Sequence, residues 1–521
     1  MFSLKSPSEC IRHVEKTLSK EQKTAFLSTF LIGFFCHLFI ITNSLYNHDD
    51  IRYLYVTFDK PELGRWLLTY VAGISSYFSL PVVNGILALI YAGIASMVIV
   101  RMFDMKNKAA IILMSGLLIT FPSVATIYSF MFAIDPFLFS CLLGTLAAYF
   151  VTRTQRRYGW LTGAVLLCCS VGIYQAYLSF TLLLMLLFAV LMLLQPEKYD
   201  DRTIKAMIVR YLLMLSLGMG AYYIGMIATL KLKHTQLSSY QGIDDSSVPG
   251  LSEIRTRIIT VFRDFVDFFR PGQVLAFNSW MRIALLVTVV LLLFFFFVFY
   301  LRQRLYTNAM RTTLLLLCLI CIPLSANVFY LISSGVTIHM LMRHGWCLLF
   351  IAVLIFYEKT APYLAVNRQK LLEWICILSS LLVVWNYILL TNIAYFNMNF
   401  RYEKTYALCL NIMDKIEQSE DYDSHRPIAF IGNYSKTYKM EAVKDLLDPM
   451  VGMSGPRVFG GSSRCYLPFI QNCLGEDITV VTPEEEAALK ETPEFQEMPR
   501  YPHDGCVRVI NDVTVIKLND D

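Results

Sequence analysis

The sequence predicts an all-α polytopic membrane bundle of about eleven transmembrane helices, followed by a small C-terminal extracytoplasmic α/β domain. Three observations predict this fold class. Of 521 residues, 56% are hydrophobic and 16% are charged, whereas an average soluble chain has about 25% charged residues. Apolar runs of about 20 residues, the length that crosses a bilayer, recur up to residue 395. From residue 400 onward, short helical and strand patterns replace these runs.

The apolar runs give the predicted spans. We place them at 25–45, 82–101, 109–127, 135–152, 158–174, 177–195, 207–230, 279–301, 312–333, 344–358 and 371–395. The stretch 159–194 would form a helix of roughly 54 Å, too long for one span, so we expect a break between Gly172 and Gln175. The segment 66–79 has two interpretations, an interfacial helix or the start of a second span that bends before Pro81.

Charges in the connecting loops predict the orientation. With the N-terminal tail 1–24 in the cytoplasm, each of five inner loops contains three Lys or Arg residues, and the short loops 128–134 and 174–177 contain none. This is the positive-inside pattern. The tail is polar and basic, so we do not expect a cleavable signal peptide. The net charge of +5 predicts no nucleic-acid binding.

The chain divides into the tail, a membrane domain 25–399 and an extracytoplasmic domain 400–521. The membrane domain has two long outer loops, 46–81 and 231–278. In the second, an amphipathic interfacial helix is predicted at 251–270, with its apolar face formed by Ile254, Ile258, Val261, Phe265 and Phe268.

The last domain shows signals for a small α/β fold. We predict helices at Tyr406–Ile416, Met440–Leu447 and from Pro483, strands at Ile428–Ile431 and Ile478–Val481, and a hairpin at Asn511-Asp512. Its cysteines lack metal spacing. Cys465 and Cys473 are expected as free thiols, with a disulfide as the alternative in an oxidising space.

The most informative segment for chemistry is the first outer loop. Its residues 47–53 read Asn-His-Asp-Asp-Ile-Arg-Tyr, and Gly64-Arg65-Trp66 follows at the return to the membrane. A carboxylate at the mouth of a membrane cavity can accept a hydroxyl proton, and an arginine can hold a phosphate. The alternative is an acidic loop with Arg65 and Trp66 as interfacial anchors.

These motifs resemble the bacterial serotype-converting O-antigen glucosyltransferase family. The likeness covers roughly residues 25–400 and rests on residues 43–53, Gly64-Arg65-Trp66, Phe121-Pro122, Tyr128-Ser129-Phe130, Ile173-Tyr174-Gln175-Ala176-Tyr177 and Arg343-His344. Members of that family end in a short tail, whereas this chain continues into a full domain.

The resemblance implies a GT-C-like bundle in the bacterial cytoplasmic membrane. It implies inverting transfer of glucose, or a similar hexose, from a polyprenyl-phosphate donor to a hydroxyl of a lipid-linked or surface glycan. The expected partners are a donor-synthesising glycosyltransferase and a donor flippase. No cofactor besides the donor and no metal site are expected, although two adjacent aspartates leave a divalent ion open.

The resemblance also suggests roles for the charged residues. Either Asp49 or Asp50 is the general base, with a preference for Asp49 because Asp50 is expected to pair with Arg52 or Arg65. Arg65 and Arg343 are the candidates for binding the donor phosphate. For Arg343 the alternative is an interfacial anchor.

The remaining candidates for substrate contacts are predicted to lie at the same outer side of the membrane. His344 assists the phosphate site or is structural, and Asp135 binds sugar or caps a helix. Candidates for sugar or acceptor contacts are Tyr128, Tyr174, Gln175 and Tyr177, although tyrosine also populates interfaces. The pair Asp244-Asp245 is a rival acidic site.

A polysaccharide transporter or flippase is the alternative function. Transporters carry charged residues near the membrane midplane and internal repeats. The spans predicted here are nearly free of charge, and no repeat is evident. This pattern favours a reaction at the outer surface. A second alternative is another enzyme of the same architecture that uses a different lipid-linked sugar or attaches sugar to protein or lipid A. An assembly component whose outer domain binds glycan is a third.

Overall fold

The computed structural model describes residues 6–152, 158–239, 251–270, 276–333, 335–434, 447, 450, 452–453 and 463–519. Its first helices are α1 (Pro7–Thr17), α2 (Lys20–Thr42), α3 (Leu68–Ala72), α4 (Pro81–Phe103), α5 (Lys108–Thr120), α6 (Pro122–Tyr128), α7 (Ile134–Thr152), α8 (Gly159–Ile173) and α9 (Tyr177–Leu193). The next are α10 (Asp201–Leu232), α11 (Leu251–Asp267), α12 (Ser279–Arg302), α13 (Ala309–Ala326), α14 (Val328–Ile332), α15 (Cys347–Thr360) and α16 (Val366–Glu417). The C-terminal part contains α17 (Ser463–Phe469), α18 (Pro483–Lys490), α19 (Pro493–Gln496), β1 (Ile428–Ile431), β2 (Val507–Ile510) and β3 (Val513–Lys517).

The described part of the chain has eight helices long and apolar enough to cross a membrane, or nine if α5 and α6 form one span bent by 47°. The helices α8 and α9 are apolar but shorter, with 15 and 17 residues. Each predicted span overlaps one helix or, at 109–127 and 312–333, two consecutive helices, so the chain is a membrane protein. The number eleven stays a prediction, because it depends on counting α8 and α9 as spans.

Two local predictions about chain breaks can be compared with the structure. The break predicted between Gly172 and Gln175 is confirmed, because α8 ends at Ile173 and α9 begins at Tyr177. The segment 66–79 forms the short helix α3 and a tight turn in which Ser76 and Tyr77 have positive φ angles. It is therefore a separate short helix and does not continue into α4.

The burial of the helices divides the bundle into a centre and a lipid-facing rim. In their most apolar windows, 83% of the residues of the α7 span and 78% of those of the α15 span are buried, compared with 17% for α10. The exposed residues of α10 include Leu212 and Ile224. Because α10 exposes so much apolar surface, it fits a position against the hydrocarbon core of a bilayer.

Small residues allow α2 and α4 to pack closely. A Cβ atom on Gly85 would lie 2.7 Å from Ile41, and one on Gly93 would lie 2.8 Å from Phe26. Close backbone approach at glycine is how membrane helices gain van der Waals contact when lipid supplies no hydrophobic drive. This contact holds the end of α2, and hence the start of the Asp49 loop, against the bundle.

Helix α11 exists as predicted, and its apolar face is partly buried in the protein and partly exposed. Val261 and Phe268 are buried, whereas Ile254 is 40% exposed and Arg257 is buried. The Arg257 guanidinium donates to the Leu331 carbonyl at 2.9 Å. This hydrogen bond attaches α11 to α14, while Ile254 and Ile258 stay exposed, as expected of apolar residues on an interfacial helix.

The C-terminal domain joins the bundle through one uninterrupted helix. The 52 residues of α16 extend for roughly 78 Å, far more than a bilayer core of about 30 Å. The sheet order is β1-β3-β2, with β1 parallel and β2 antiparallel to β3. The predicted hairpin is confirmed, because Asn511 and Asp512 have φ angles of 51° and 61° between β2 and β3.

Four further predictions fall in this domain. The β1 strand and the helix beginning at Pro483 are confirmed. The strand predicted at 478–481 is wrong, because only an isolated bridge between Val480 and Ile428 forms there. Of the helix predicted at 440–447, only Leu447 lies within the described residues.

Candidate functional site

Asn47 shapes the turn that carries the two aspartates. Its side-chain oxygen accepts hydrogen bonds from the backbone amides of Asp49 at 2.7 Å and Asp50 at 2.8 Å. Its amide group donates to the Ser129 carbonyl at the end of α6. Asparagine favours such local turns. The turn is therefore fixed both internally and to the bundle, and a short 3₁₀ helix over Asp50–Tyr53 follows.

The two neighbouring aspartates have opposite environments. Asp50 is fully buried, and its carboxylate accepts hydrogen bonds from the Phe132 amide at 3.1 Å and the Ser79 hydroxyl at 3.5 Å. Burial raises the pKa of the Asp50 carboxyl from 3.8 to about 7, although the amide hydrogen bonds oppose this shift. The Asp49 side chain is 36% exposed. Asp49 is thus the carboxylate that an incoming hydroxyl can reach.

The ion pairs of this loop differ from those predicted. The Asp49 carboxylate lies 3.9 Å from the Arg52 guanidinium and 3.8 Å from the His48 ring. Within the described residues, Asp50 makes no ion pair. The expectation that Asp50 pairs with Arg52 or Arg65 is therefore wrong, because Asp50 turns toward backbone amides of the bundle.

The Gly64-Arg65-Trp66 motif forms a rigid turn beside α8 and α10. Gly64 has a φ of 73°, and its carbonyl accepts a hydrogen bond from the Tyr222 hydroxyl at 3.2 Å. The Gln175 amide donates to the Leu63 carbonyl at 2.6 Å. A Cβ atom on Gly64 would lie 2.7 Å from both of these side chains. Glycine is required here by both its backbone angle and its close neighbours.

Arg65 is held by aromatic rings and not by a carboxylate. Its guanidinium lies 4.9 Å from the centre of the Tyr174 ring and 5.8 Å from that of Phe137, and these two rings stack at 3.9 Å. No acidic side chain among the described residues lies within ion-pair distance of Arg65, and its buried Nε atom makes no hydrogen bond there. The positive charge is therefore preorganised but not neutralised.

Arg65 faces a cavity of about 560 Å³ behind α10. Its lining includes Leu63, Arg65, Val171, Tyr174, Gln175, Ala176, Leu178, Met219, Tyr222, Tyr223, Met226, Leu237, Phe329, Ile332, Ser333, Val336 and Met342. Arg65 is the one charged side chain among these residues. A mostly apolar cavity with a single cation fits an anionic group attached to an apolar tail.

Arg343 and His344 do not line this cavity. The Arg343 guanidinium donates to the Asp264 carboxylate at 2.8 Å and stacks against Phe268 and Trp346. One ring nitrogen of His344 lies 3.2 Å from the Tyr177 hydroxyl, and the other lies 2.9 Å from the Leu118 carbonyl. Arg343, His344 and Tyr177 therefore have protein partners in this structure and lie outside the lining of the Arg65 cavity.

Tyr128 and Asp135 are both buried, but in different ways. The Tyr128 ring stacks on His37 at 4.1 Å, and its hydroxyl donates to the Gly85 carbonyl at 3.2 Å, so it belongs to the bundle core. Asp135 begins α7 beside Ser75, and neither of its carboxylate oxygens makes a hydrogen bond of normal geometry among the described residues. Asp135 does not act as a helix cap here.

Of the predicted residues, the cavity brings together Arg65, Tyr174 and Gln175. Sequence reasoning missed Tyr222 and Asp264, because nothing local marks a tyrosine on a lipid-facing helix or the partner of a distant arginine. The rival pair 244–245 lies outside the described residues. Cys473 is a free thiol, and the side chain of Cys465 also lies outside the described residues.

Comparison with known families gives one match. The model of the family described as glucosyl transferase GtrII matches residues 38–350. The match begins in α2, contains the Asp49 loop and the Arg65 cavity, and ends in α15. Comparisons with curated proteins and with solved structures return no match.

Proposed function

The chain belongs to the glucosyl transferase GtrII family, and from that premise we propose that it uses a polyprenyl-phosphate sugar as donor. In this proposal, glucose or a similar hexose is transferred to a hydroxyl of a lipid-linked or cell-surface glycan. The single observation that carries the donor assignment is the unpaired Arg65 in a mostly apolar cavity of about 560 Å³.

The chemistry of the donor matches this cavity. A polyprenyl phosphate combines an anionic head with a long apolar chain, and it approaches from within the bilayer. The Arg65 guanidinium suits the phosphate because its planar fork can donate two hydrogen bonds. The apolar walls and the lipid-facing α10 suit the chain. The Tyr174 and Gln175 side chains border the same space and suit contacts with the sugar.

Asp49 is our choice for the general base. Its carboxylate is partly exposed and flanked by Arg52 and His48, whereas the Asp50 carboxylate is occupied by hydrogen bonds to the bundle. A base must lie within hydrogen-bond reach of the acceptor hydroxyl. In this assignment Asp50 fixes the loop, and Asp135, which begins α7 beside Ser75, binds donor-sugar hydroxyls after the donor enters.

The proposed reaction is a single displacement. The acceptor oxygen attacks the anomeric carbon as its proton moves to Asp49. The bond between the anomeric carbon and the phosphate oxygen breaks, and polyprenyl phosphate leaves with the bonding electron pair. Arg65 stabilises the negative charge that develops on this leaving group. Attack opposite the leaving group inverts the anomeric configuration.

The cellular setting follows from the same proposal. We place the protein in the bacterial cytoplasmic membrane, with its N-terminus in the cytoplasm and the Asp49 loop and C-terminal domain outside, consistent with the positive-inside pattern. A synthase would make the donor and a flippase would deliver it across the membrane. No metal is assigned a role.

The test is transfer by purified protein in lipid nanodiscs. We expect wild-type protein to convert polyprenyl-phosphate glucose to polyprenyl phosphate when glycan acceptor is present. Asp49→Asn should lower the rate by roughly 100-fold or more. Asp59→Asn is the matched control in the same loop, where Asp59 pairs with Lys233. Full activity of the Asp49→Asn enzyme would refute the assignment of the base.

Mass analysis of the surface polysaccharide provides the second readout. Cells that express wild-type protein should carry an additional hexose on the glycan, and cells that express Asp49→Asn protein at the same membrane level should not. An unmodified glycan in wild-type cells, with altered glycan export, would support the transporter interpretation instead.

A further inference from the structure

The Asp49 loop is attached to the C-terminal domain as well as to the membrane bundle. Ile51 follows the two aspartates in the 3₁₀ helix, and its side chain is fully buried. It packs in a cluster whose other buried members are Cys409, Ile412, Met413, Ile416, Ile428, Phe430, Tyr466, Phe469, Ile470, Ile478, Ile516 and Leu518. These residues come from the end of α16 and from the C-terminal domain. Neighbouring residues 50 and 51 are thus anchored in different parts of the protein.

The C-terminal domain makes a second contact next to the same loop, at the turn between α6 and α7. The turn between α6 and α7 accepts a hydrogen bond from Asn47 at Ser129, and its Phe132 amide donates to Asp50. Gly452 of the C-terminal domain lies against this turn, where any side chain on it would clash with the Ser129 hydroxyl. The loop, the turn and the C-terminal domain therefore meet at one junction.

The junction leaves one face of the loop open. Asp49 and Arg52 are three residues apart and lie on this face together with His48, each with a partly exposed side chain. A helix of four residues has little stability by itself. The orientation of Asp49 therefore depends on the anchors at Asp50 and Ile51, the two residues that follow it.

We propose that the C-terminal domain is part of the catalytic site, with Ile51 as the positioning residue that holds Asp49 toward the glycan acceptor. The inference rests on the proposed role of Asp49 as base. The domain lies beyond the matched residues 38–350. It therefore adds a wall to the family's membrane bundle, and the acceptor approaches along this wall.

The transfer rate depends on the position of the Asp49 carboxylate. A displacement of a catalytic group by about 1 Å can reduce a rate about 100-fold without affecting substrate affinity. Truncating Ile51, or Phe469 in the cluster where Ile51 packs, should therefore lower kcat. The donor KM should stay constant, because the Arg65 cavity does not include this cluster.

The experiment compares two phenylalanines of the C-terminal domain in the nanodisc transfer assay. Phe469 is fully buried in the cluster that contains Ile51. Phe495 is 5% exposed and lies in the separate cluster on the other face of the sheet, so it is the matched control. We expect Phe469→Ala to reduce kcat about 10- to 100-fold with an unchanged donor KM. Phe495→Ala should keep kcat within about threefold.

The loop itself supplies a second pair of variants. Ile51→Ala should reproduce the effect of Phe469→Ala, and Ile51→Val should restore most of the activity, because it keeps the branched shape. Equal effects of Phe469→Ala and Phe495→Ala, or a rise in donor KM as the main effect of Ile51→Ala, would overturn the inference. Full activity of Asp49→Asn would instead refute the assignment of Asp49 as the base, so the two failures are distinguishable.

Discussion

Arg65 and Arg343 are the two candidates for binding the donor phosphate, and their surroundings differ, since Arg343 is buried whereas Arg65 is partly exposed. Arg65 and Arg343 each lie over two aromatic rings at distances between 4.9 and 5.8 Å. Arg343 has a carboxylate partner, Asp264, at 2.8 Å. Arg65 has no such partner among the described residues and faces a cavity.

This difference distinguishes an arginine whose charge stabilises the fold from one whose charge is available to bind a ligand. Removing a charge from water is costly unless another charge compensates it. Arg343 receives that compensation from within the protein, so it joins α11 to the segment before α15. Arg65 is partly exposed and makes no ion pair among the described residues, so an anion that enters the cavity can supply it. The arginine without an acidic protein partner is therefore the better candidate for an anionic ligand.

The largest expected effect tests Arg65 directly. Arg65→Ala should reduce transfer by roughly 100- to 1,000-fold, because a single preorganised donor to a developing oxyanion is worth about this much. Arg65→Lys should recover part of the rate, since lysine keeps the charge but loses the planar fork. Steady-state rates over a series of donor concentrations provide the measurement. Unchanged kinetics of Arg65→Ala would remove the basis for the donor assignment.

Asp50 is a third buried or partly buried charged group, an acid that makes no ion pair with a cationic side chain among the described residues. Because burial raises the pKa of the folded Asp50 carboxyl to about 7, the folded state holds its proton more tightly than the unfolded chain does. This contribution to stability is complete below the pKa of the unfolded carboxyl and is lost as the pH rises toward 7. Between pH 5 and 7.5 the loss amounts to roughly 3 kcal/mol.

The Asp50→Asn variant isolates this effect. Its melting temperature in detergent should fall less than that of the wild-type protein between pH 5 and pH 7.5, because asparagine does not titrate. Asp59→Asn, at a surface ion pair in the same loop, should keep the wild-type dependence. Parallel melting curves for Asp50→Asn and wild-type protein would mean that Asp50 is ionised throughout this range.

Arg343 is the opposite case, because the expected loss is in folding stability and not in donor binding. Asp264→Leu should lower the free energy of unfolding by about 2 kcal/mol or more, because it leaves Arg343 buried without its partner. Combining it with Arg343→Met should recover much of this loss, since no isolated charge remains. Donor KM should change little in either variant. A rise in donor KM that matches that of Arg65→Ala would put Arg343 back among the phosphate ligands.

Structural features that depend on residues close together in the chain could be predicted from the sequence, whereas contacts between residues far apart in the chain could not. The break after Gly172 follows from the maximum length of a span, and the Asn511-Asp512 hairpin follows from local turn chemistry. The partner of Arg343 lies 79 residues away, on α11. Such pairings are decided by packing between elements, which single-sequence patterns do not encode.

The smallest expected effect concerns how Arg65 is positioned. Tyr222→Phe removes the hydrogen bond from the hydroxyl to the Gly64 carbonyl, which fixes the turn before Arg65. A hydrogen bond of this kind contributes about 1 kcal/mol, so donor KM should rise about fivefold. Tyr211→Phe is the matched control, because Tyr211 lies on the same helix and donates to the Met185 carbonyl instead. If both variants raise donor KM equally, the effect comes from α10 as a whole. A rise specific to Tyr222→Phe means that the cavity recognises its ligand through an arginine whose position is set by an uncharged residue on a lipid-facing helix.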